Sequence, residues 1–99
     1  MAKMRAYYRD ILGLKEKPGE WPEDGWMEFD TGACRIALHK WFGAKPSHNK
    51  IVFYAKDVRA QREKWVKRGA KFGEVKVWGK LIVADGRDPD GNKIQISNR

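Results

Sequence analysis

Apolar side chains at Met4, Tyr7, Tyr8, Ile11 and Leu12 recur at i, i+3, i+4, i+7 and i+8, the single stripe of an amphipathic helix. Gly13 follows as a left-handed stop. Residues 15–25 hold two prolines and two glycines, which predicts a turn or loop with at most a short strand. The pattern then shortens to strand-like runs at 26–30 and 35–39, separated by Thr31-Gly32-Ala33, and reads as a hairpin. Residues 40–49 have no period and contain Gly43 and Pro46, so they form a linker. A new strand is predicted at 50–55, and Asp57 is placed to cap a helix over 58–68 that ends at Gly69. Strands are predicted at 71–77 and 80–84, then a tight turn at Asp88-Pro89-Asp90-Gly91-Asn92, then a last strand at 93–97. Gly13 recurs as Gly69 and Ile36 as Ile94, at offsets of 56 and 58 residues. Such near-equal offsets point to an internal repeat.

The expected architecture is therefore α+β, from paired βαβββ modules. A first module spans 1–40, a linker 41–49 and a second module 50–99, all within one 99-residue domain. The run at 50–55 has no counterpart ahead of the first helix. The expectation is a first module lacking its first strand, with a late-called start as the rival explanation. An open strand edge invites pairing, so a homodimer is expected, the partner covering that edge.

Composition narrows the class. The chain is 41% hydrophobic and 34% charged, as expected of a soluble globular domain. No apolar run approaches the roughly 20 residues of a membrane helix, and no leader pattern is visible. The expected compartment is the cytoplasm. Cys34 is the only cysteine and is read as a small core residue. A net charge of +8 favours acidic ligands, although the lysines are scattered enough to be a solvated surface. Five tryptophans exceed what so short a core requires, and some are expected to line a cavity or an interface.

Strand alternation separates the two sheet faces. Ile36, Leu38, Ile51, Phe53, Ile94 and Ile96 make the faces on which helices rest. The opposite face carries Arg35, His39, Lys50, Tyr54, Lys93, Gln95 and Ser97, whose charged members are all cationic. The candidate ligand-binding residues are Arg35, His39, Lys50, Tyr54 and Gln95, with Trp26 and Trp78 as aromatic walls. A wet, functionless face is the plainer reading; a cavity with aromatic walls and a few polar groups is the sharper one. Lys50 and Arg35 would favour an anion, and Tyr54 would donate a hydrogen bond. No serine, histidine and acid triplet has recognisable spacing, and no glycine-rich phosphate loop is present.

Tyr8-Arg9-Asp10-Ile11-Leu12-Gly13-Leu14, Gly32 and Ile36-Ala37-Leu38-His39 resemble the first half of the vicinal oxygen chelate superfamily. That is the glyoxalase, bleomycin-resistance and extradiol-dioxygenase group. Ile51-Val52-Phe53-Tyr54, Asp57-Val58, Arg68-Gly69, Trp78-Gly79 and the segment from Asp88 to Gln95 resemble its second half. The resemblance implies a cupped sheet around a cavity. It also implies a divalent metal held by His, Gln or Glu on the first and last strands of the modules. Those positions fall here on Lys50, Gln95 and Ala37, and only Gln95 could ligate. No metal and no other cofactor is therefore expected; His48, Gln95 and His39 are the alternative ligand set.

Three functions follow from these readings. One is a metal-free module that binds a planar or anionic small molecule. Another is a divalent-metal-dependent lyase or dioxygenase of the same superfamily, which leaves open whether the chain is an enzyme. The last and most distant is a nucleic-acid-binding domain.

Overall fold

The computed structural model describes residues 2–17, 26–32, 34–39, 43, 45–46 and 48–99. The chain forms two compact units, Met1–Lys45 and Pro46–Arg99. In the first, α1 (Ala2–Ala6) runs into a π-helical turn (Tyr7–Ile11). Strands β1 (Lys15–Lys17), β2 (Trp26–Asp30) and β3 (Arg35–His39) follow, antiparallel, in the order β1-β2-β3. The predicted apolar stripe is the buried one at Met4, Tyr7, Tyr8 and Leu12. Where a regular α-helix was expected, the Leu12 amide donates to the Tyr7 carbonyl at 3.0 Å, one residue further back than an α-helical bond. The Tyr8 and Phe29 rings meet at 6.0 Å between centroids, and Phe29 is fully buried. Gly13, with φ of 74°, ends the helical segment as predicted.

The hairpin between β2 and β3 closes by local bonds: the Thr31 amide to the Cys34 carbonyl, and the Gly32 amide to Asp30 Oδ1. Cys34 is exposed on this turn, not a core residue as its small apolar side chain suggested. The strand begins one residue later, at Arg35. The Gly32 amide, followed by the Lys17 charge, holds the Asp30 carboxyl below its ordinary range.

The second unit contains β4 (Lys50–Tyr54), α2 (Val58–Lys67), β5 (Lys76–Trp78), β6 (Leu81–Arg87) and β7 (Lys93–Ser97). Its sheet order is β4-β7-β6-β5, with β4 parallel to β7 and the other pairs antiparallel. This is a complete βαβββ module. The first unit matches its β5, β6 and β7 with β1, β2 and β3, and no described strand there corresponds to β4. The expected α+β architecture is thus the observed one, with two sheets and two helical segments among the described residues. Asp57 caps α2 by accepting the Ala60 amide at 3.0 Å. Gly69, at φ 109°, terminates it.

Helix α2 packs against β6 and β7. Val58, Trp65, Phe72, Ala84, Ile94 and Ile96 are buried, and burial of each large aliphatic side chain contributes roughly 1.5–3 kcal/mol. The predicted strand over 71–77 is shorter: Phe72 makes a single bridge to Gly86, and only Lys76–Trp78 pairs as a strand. In the opposite sense, β6 continues three residues past the predicted end at Ala84, to Arg87. Among the described residues no helix is long and apolar enough to cross a membrane.

Candidate functional site

The final hairpin sets the geometry of the polar face. Asp88 is buried and accepts the Asp90 amide, the Asn92 amide and the Asn92 side-chain amide at 3.0, 2.9 and 2.8 Å. That turn fixes Arg87 opposite Lys93, and therefore Asp85 opposite Gln95. Parallel pairing on the other side of β7 puts Lys50 opposite Lys93, Val52 opposite Gln95 and Tyr54 opposite Ser97. Directly paired residues share a face. The face opposite α2 thus reads, row by row, Lys50–Lys93–Arg87, then Val52–Gln95–Asp85, then Tyr54–Ser97–Val83.

Asp85 is the centre of this arrangement. Its Oδ1 accepts Lys50 Nζ at 2.9 Å and Gln95 Nε2 at 3.0 Å. Partial burial pushes the Asp85 carboxyl up. The hydrogen bonds from Lys50 and Gln95, with the Lys50 and Lys76 charges, outweigh that effect and leave it below the ordinary carboxylate value. A cavity of about 250 Å³ adjoins the group, lined by Lys50, Asp85, Gly86, Arg87, Lys93 and Ile94. The charged members of this face are therefore not all cationic, as expected from residues 50 and 93–97 alone. Asp85 escaped notice because the predicted strand stopped at Ala84. Counting outward from the Asp88–Asn92 turn would have placed it opposite Gln95.

Tyr54 and Trp78 stand away from the cavity. Tyr54 is 69% exposed on β4 and Trp78 61% exposed on β5. Trp78 pairs with Leu81, six residues along β6 from Arg87, or roughly 20 Å at strand rise. A second cavity of about 520 Å³, lined by Lys56, Asp57, Val58, Arg59 and Ile82, lies at the start of α2. Among the described residues, no aromatic side chain lines either cavity. His48 is exposed and lines neither of them.

Arg35, His39 and Trp26 are gathered in the first unit, around another acid. Glu28 is buried; its carboxylate accepts Trp26 Nε1 at 3.2 Å and Arg35 Nη1 at 3.5 Å. The Trp26 and His39 rings lie 5.0 Å apart between centroids. Glu28 faces Ala37 on β3 just as Asp85 faces Gln95 on β7. Each unit so carries one carboxylate at a matching point of its sheet, dressed by basic and N–H groups. Of the other tryptophans, Trp65 is core, while Trp21 and Trp41 lie outside the described residues.

The donor set does not fit a divalent ion. Lys50 brings positive charge to the position where the resemblance calls for a ligand, and Gln95 turns its N–H toward Asp85. Among the described residues no group of three or more His, Cys, Asp or Glu side chains is gathered.

A family model described as Glyoxalase/Bleomycin resistance protein/Dioxygenase superfamily matches residues 1–96. Solved structures share the fold. A Bacillus anthracis protein described as of the glyoxalase family is 23% identical, with a TM-score of 0.83 over 97% of this chain and 81% of that one. Lactoylglutathione lyase from Agrobacterium tumefaciens is 19% identical, with a TM-score of 0.77 over 97% and 83%. TnmS3, an antibiotic binding protein from Streptomyces sp. CB03234, is 22% identical, with a TM-score of 0.78 over 96% and 83%. No curated protein matches the sequence.

Proposed function

The chain belongs to the glyoxalase/bleomycin resistance protein/dioxygenase superfamily, and we propose that it is a metal-free module that binds a small molecule on the polar face of its second unit. The observation that carries this reading is the Lys50–Asp85–Gln95 network beside a cavity. Two of its members, Lys50 and Gln95, stand at positions where the superfamily resemblance implies metal ligands. The Lys50 ammonium and the Asp85 carboxylate fix each other there, and the neutral Gln95 amide beside them supplies directional hydrogen bonding. A pocket of this make-up orients a polar ligand. The antibiotic binding described for TnmS3, which shares the fold, supports the same class of function.

Calorimetric titration of the purified chain with a panel of planar and anionic small molecules, before and after exhaustive chelation, tests the reading. Saturable binding that survives chelation and is lost in Lys50→Met is the expected result. A stoichiometric divalent ion whose removal abolishes binding would replace it with the metal-dependent lyase or dioxygenase reading.

A homodimer is the proposed assembly. Val52 and Tyr54 on β4 and Trp78 on β5 are 49%, 69% and 61% exposed, and exposed apolar side chains at sheet edges favour association. Light scattering giving a monomer mass across the micromolar range would exclude it. The cytoplasm is the proposed compartment, since Cys34 is a free, exposed thiol of the kind reducing compartments preserve.

A further inference from the structure

The row Lys50–Lys93–Arg87 sets three cations side by side across three strands, each directly opposite the next. Like charges so paired repel one another. All three line the same cavity of about 250 Å³, with Asp85 as the sole acid among its described lining residues. Asp85 Oδ1 is already engaged by Lys50 and Gln95. Among the described residues, no ion pair joins Lys93 or Arg87 to a carboxylate. Lys93 is partly exposed, and its charge has no acid beside it to offset the repulsion of its neighbours. Arg87 spends Nη1 on the Gly91 carbonyl at 2.9 Å, which anchors the guanidinium and leaves its other N–H groups available. Two positive charges therefore remain uncompensated around one opening.

We propose that Lys50, Lys93 and Arg87 form a subsite for a doubly charged oxyanion, a phosphoryl or phosphonyl group carried by the ligand of the polar face. A dianion matches the uncompensated charge where a monoanion leaves part of it. The planar guanidinium suits a tetrahedral oxyanion through paired N–H groups, and the two lysines act as point charges beside it. Asp85 gives the subsite direction: it repels the oxyanion from the Gln95 row, so the group seats over Lys93 and Arg87. This inference rests on the binding-module reading and names the chemistry of its ligand.

The test is an amide-resolved NMR titration of the full chain, at constant ionic strength set with chloride. The probes are inorganic phosphate, phenyl phosphate, benzoate and phenol. Phenyl phosphate is expected to shift the amides of Lys50, Lys93 and Arg87 saturably and to bind at least tenfold more tightly than benzoate. Its affinity should rise from pH 5 to pH 7, because the second ionisation of a phosphomonoester lies at about pH 6. Lys93→Met should weaken it at least tenfold, and Arg87→Lys, which keeps the charge but not the fork, by a smaller factor. Lys64→Met, on α2, should leave it unchanged. Equal affinities for phenyl phosphate and benzoate, or undiminished binding to both the Lys93 and Arg87 variants, would overturn the proposal. The two readings fail separately. A neutral planar ligand that binds through Lys50 and ignores Lys93→Met would sink the subsite and leave the module standing. Phosphate binding at Lys93 with no organic ligand held anywhere would do the reverse.

Discussion

Replacing Gly86 by alanine puts a methyl group where the second unit has no room for one. A Cβ built there would lie 2.8 Å from the Lys71 carbonyl oxygen, 2.8 Å from Phe72 Cδ1 and 2.9 Å from Phe72 Cε1. Comfortable contacts begin at roughly 3.5 Å, so the overlap is severe on two sides. Neither neighbour yields readily. The oxygen is backbone, and Phe72 is buried with its ring 5.8 Å from that of Trp65. Overpacking of this kind costs about 1–3 kcal/mol. The gain from a less flexible unfolded chain offsets about 0.4–1 kcal/mol of it. The expected net loss is about 1–2 kcal/mol, or roughly 5–15 °C in Tm for a chain of this size. Gly73→Ala is the internal control: its Cβ would meet only the Asp85 carbonyl, at 3.7 Å, and its φ lies outside the left-handed region. Thermal and urea unfolding followed by circular dichroism compares the two. A Gly86→Ala chain as stable as the parent, or a Gly73→Ala chain equally damaged, would refute the reasoning from close approach.

Three further outcomes follow from named contacts. Arg62 donates to the Gly73 and Phe72 carbonyls at 2.7 and 3.0 Å, tying α2 to the segment before β5. Arg62→Ala should lose about 1–2 kcal/mol in urea unfolding, and Arg62→Lys should recover less than half of it. Asp57→Ala removes the α2 cap and should cost about 1 kcal/mol by the same assay. The Asp85 carboxyl is held below its ordinary value in the folded chain. Its contribution to stability is therefore complete above the unfolded value, about pH 3.9, and is lost as pH falls through the lower folded one. Asp85→Asn should flatten the acid limb of a stability–pH curve; an unchanged limb would mean the Lys50 pair contributes nothing.

Local signals carried the fold further than the site. Asp57 and Gly69 bound α2, and Gly32 and the Asp88–Asn92 turn mark hairpins, because each acts through the backbone conformation of its own neighbours. The π-turn at Tyr7–Ile11 keeps the same apolar stripe and so left no separate mark on the pattern. The site was less legible, since its members come from strands 35 residues apart in sequence, as with Lys50 and Asp85. A strand ended at Ala84 rather than Arg87 removes both the acid that holds Lys50 and the third cation of its row. Cys34 shows the same sensitivity: one residue decides between a strand's inner face and an exposed turn.

The excess of basic residues, +8 overall, does not itself describe the electrostatics of either sheet. In the first unit Arg35 meets Glu28 and Lys17 meets Asp30; in the second Lys50 meets Asp85. On the outer side of α2, Lys67 reaches Glu63 one turn back. Such pairs screen the field seen at a distance, and isolated exposed pairs add little stability. Among the cations that line the opening in the second unit, Lys93 and Arg87 are left without an acid, next to a lysine whose charge is already shared with one. Attraction of a ligand should therefore depend on two side chains and not on net charge. Charge-reversal of distant surface lysines such as Lys64 would then change solubility and leave ligand affinity at this opening nearly constant at physiological salt, where screening acts over about 8 Å. A uniform fall in affinity with every lysine removed would instead mean that the whole basic surface, and no particular row of it, draws the ligand in.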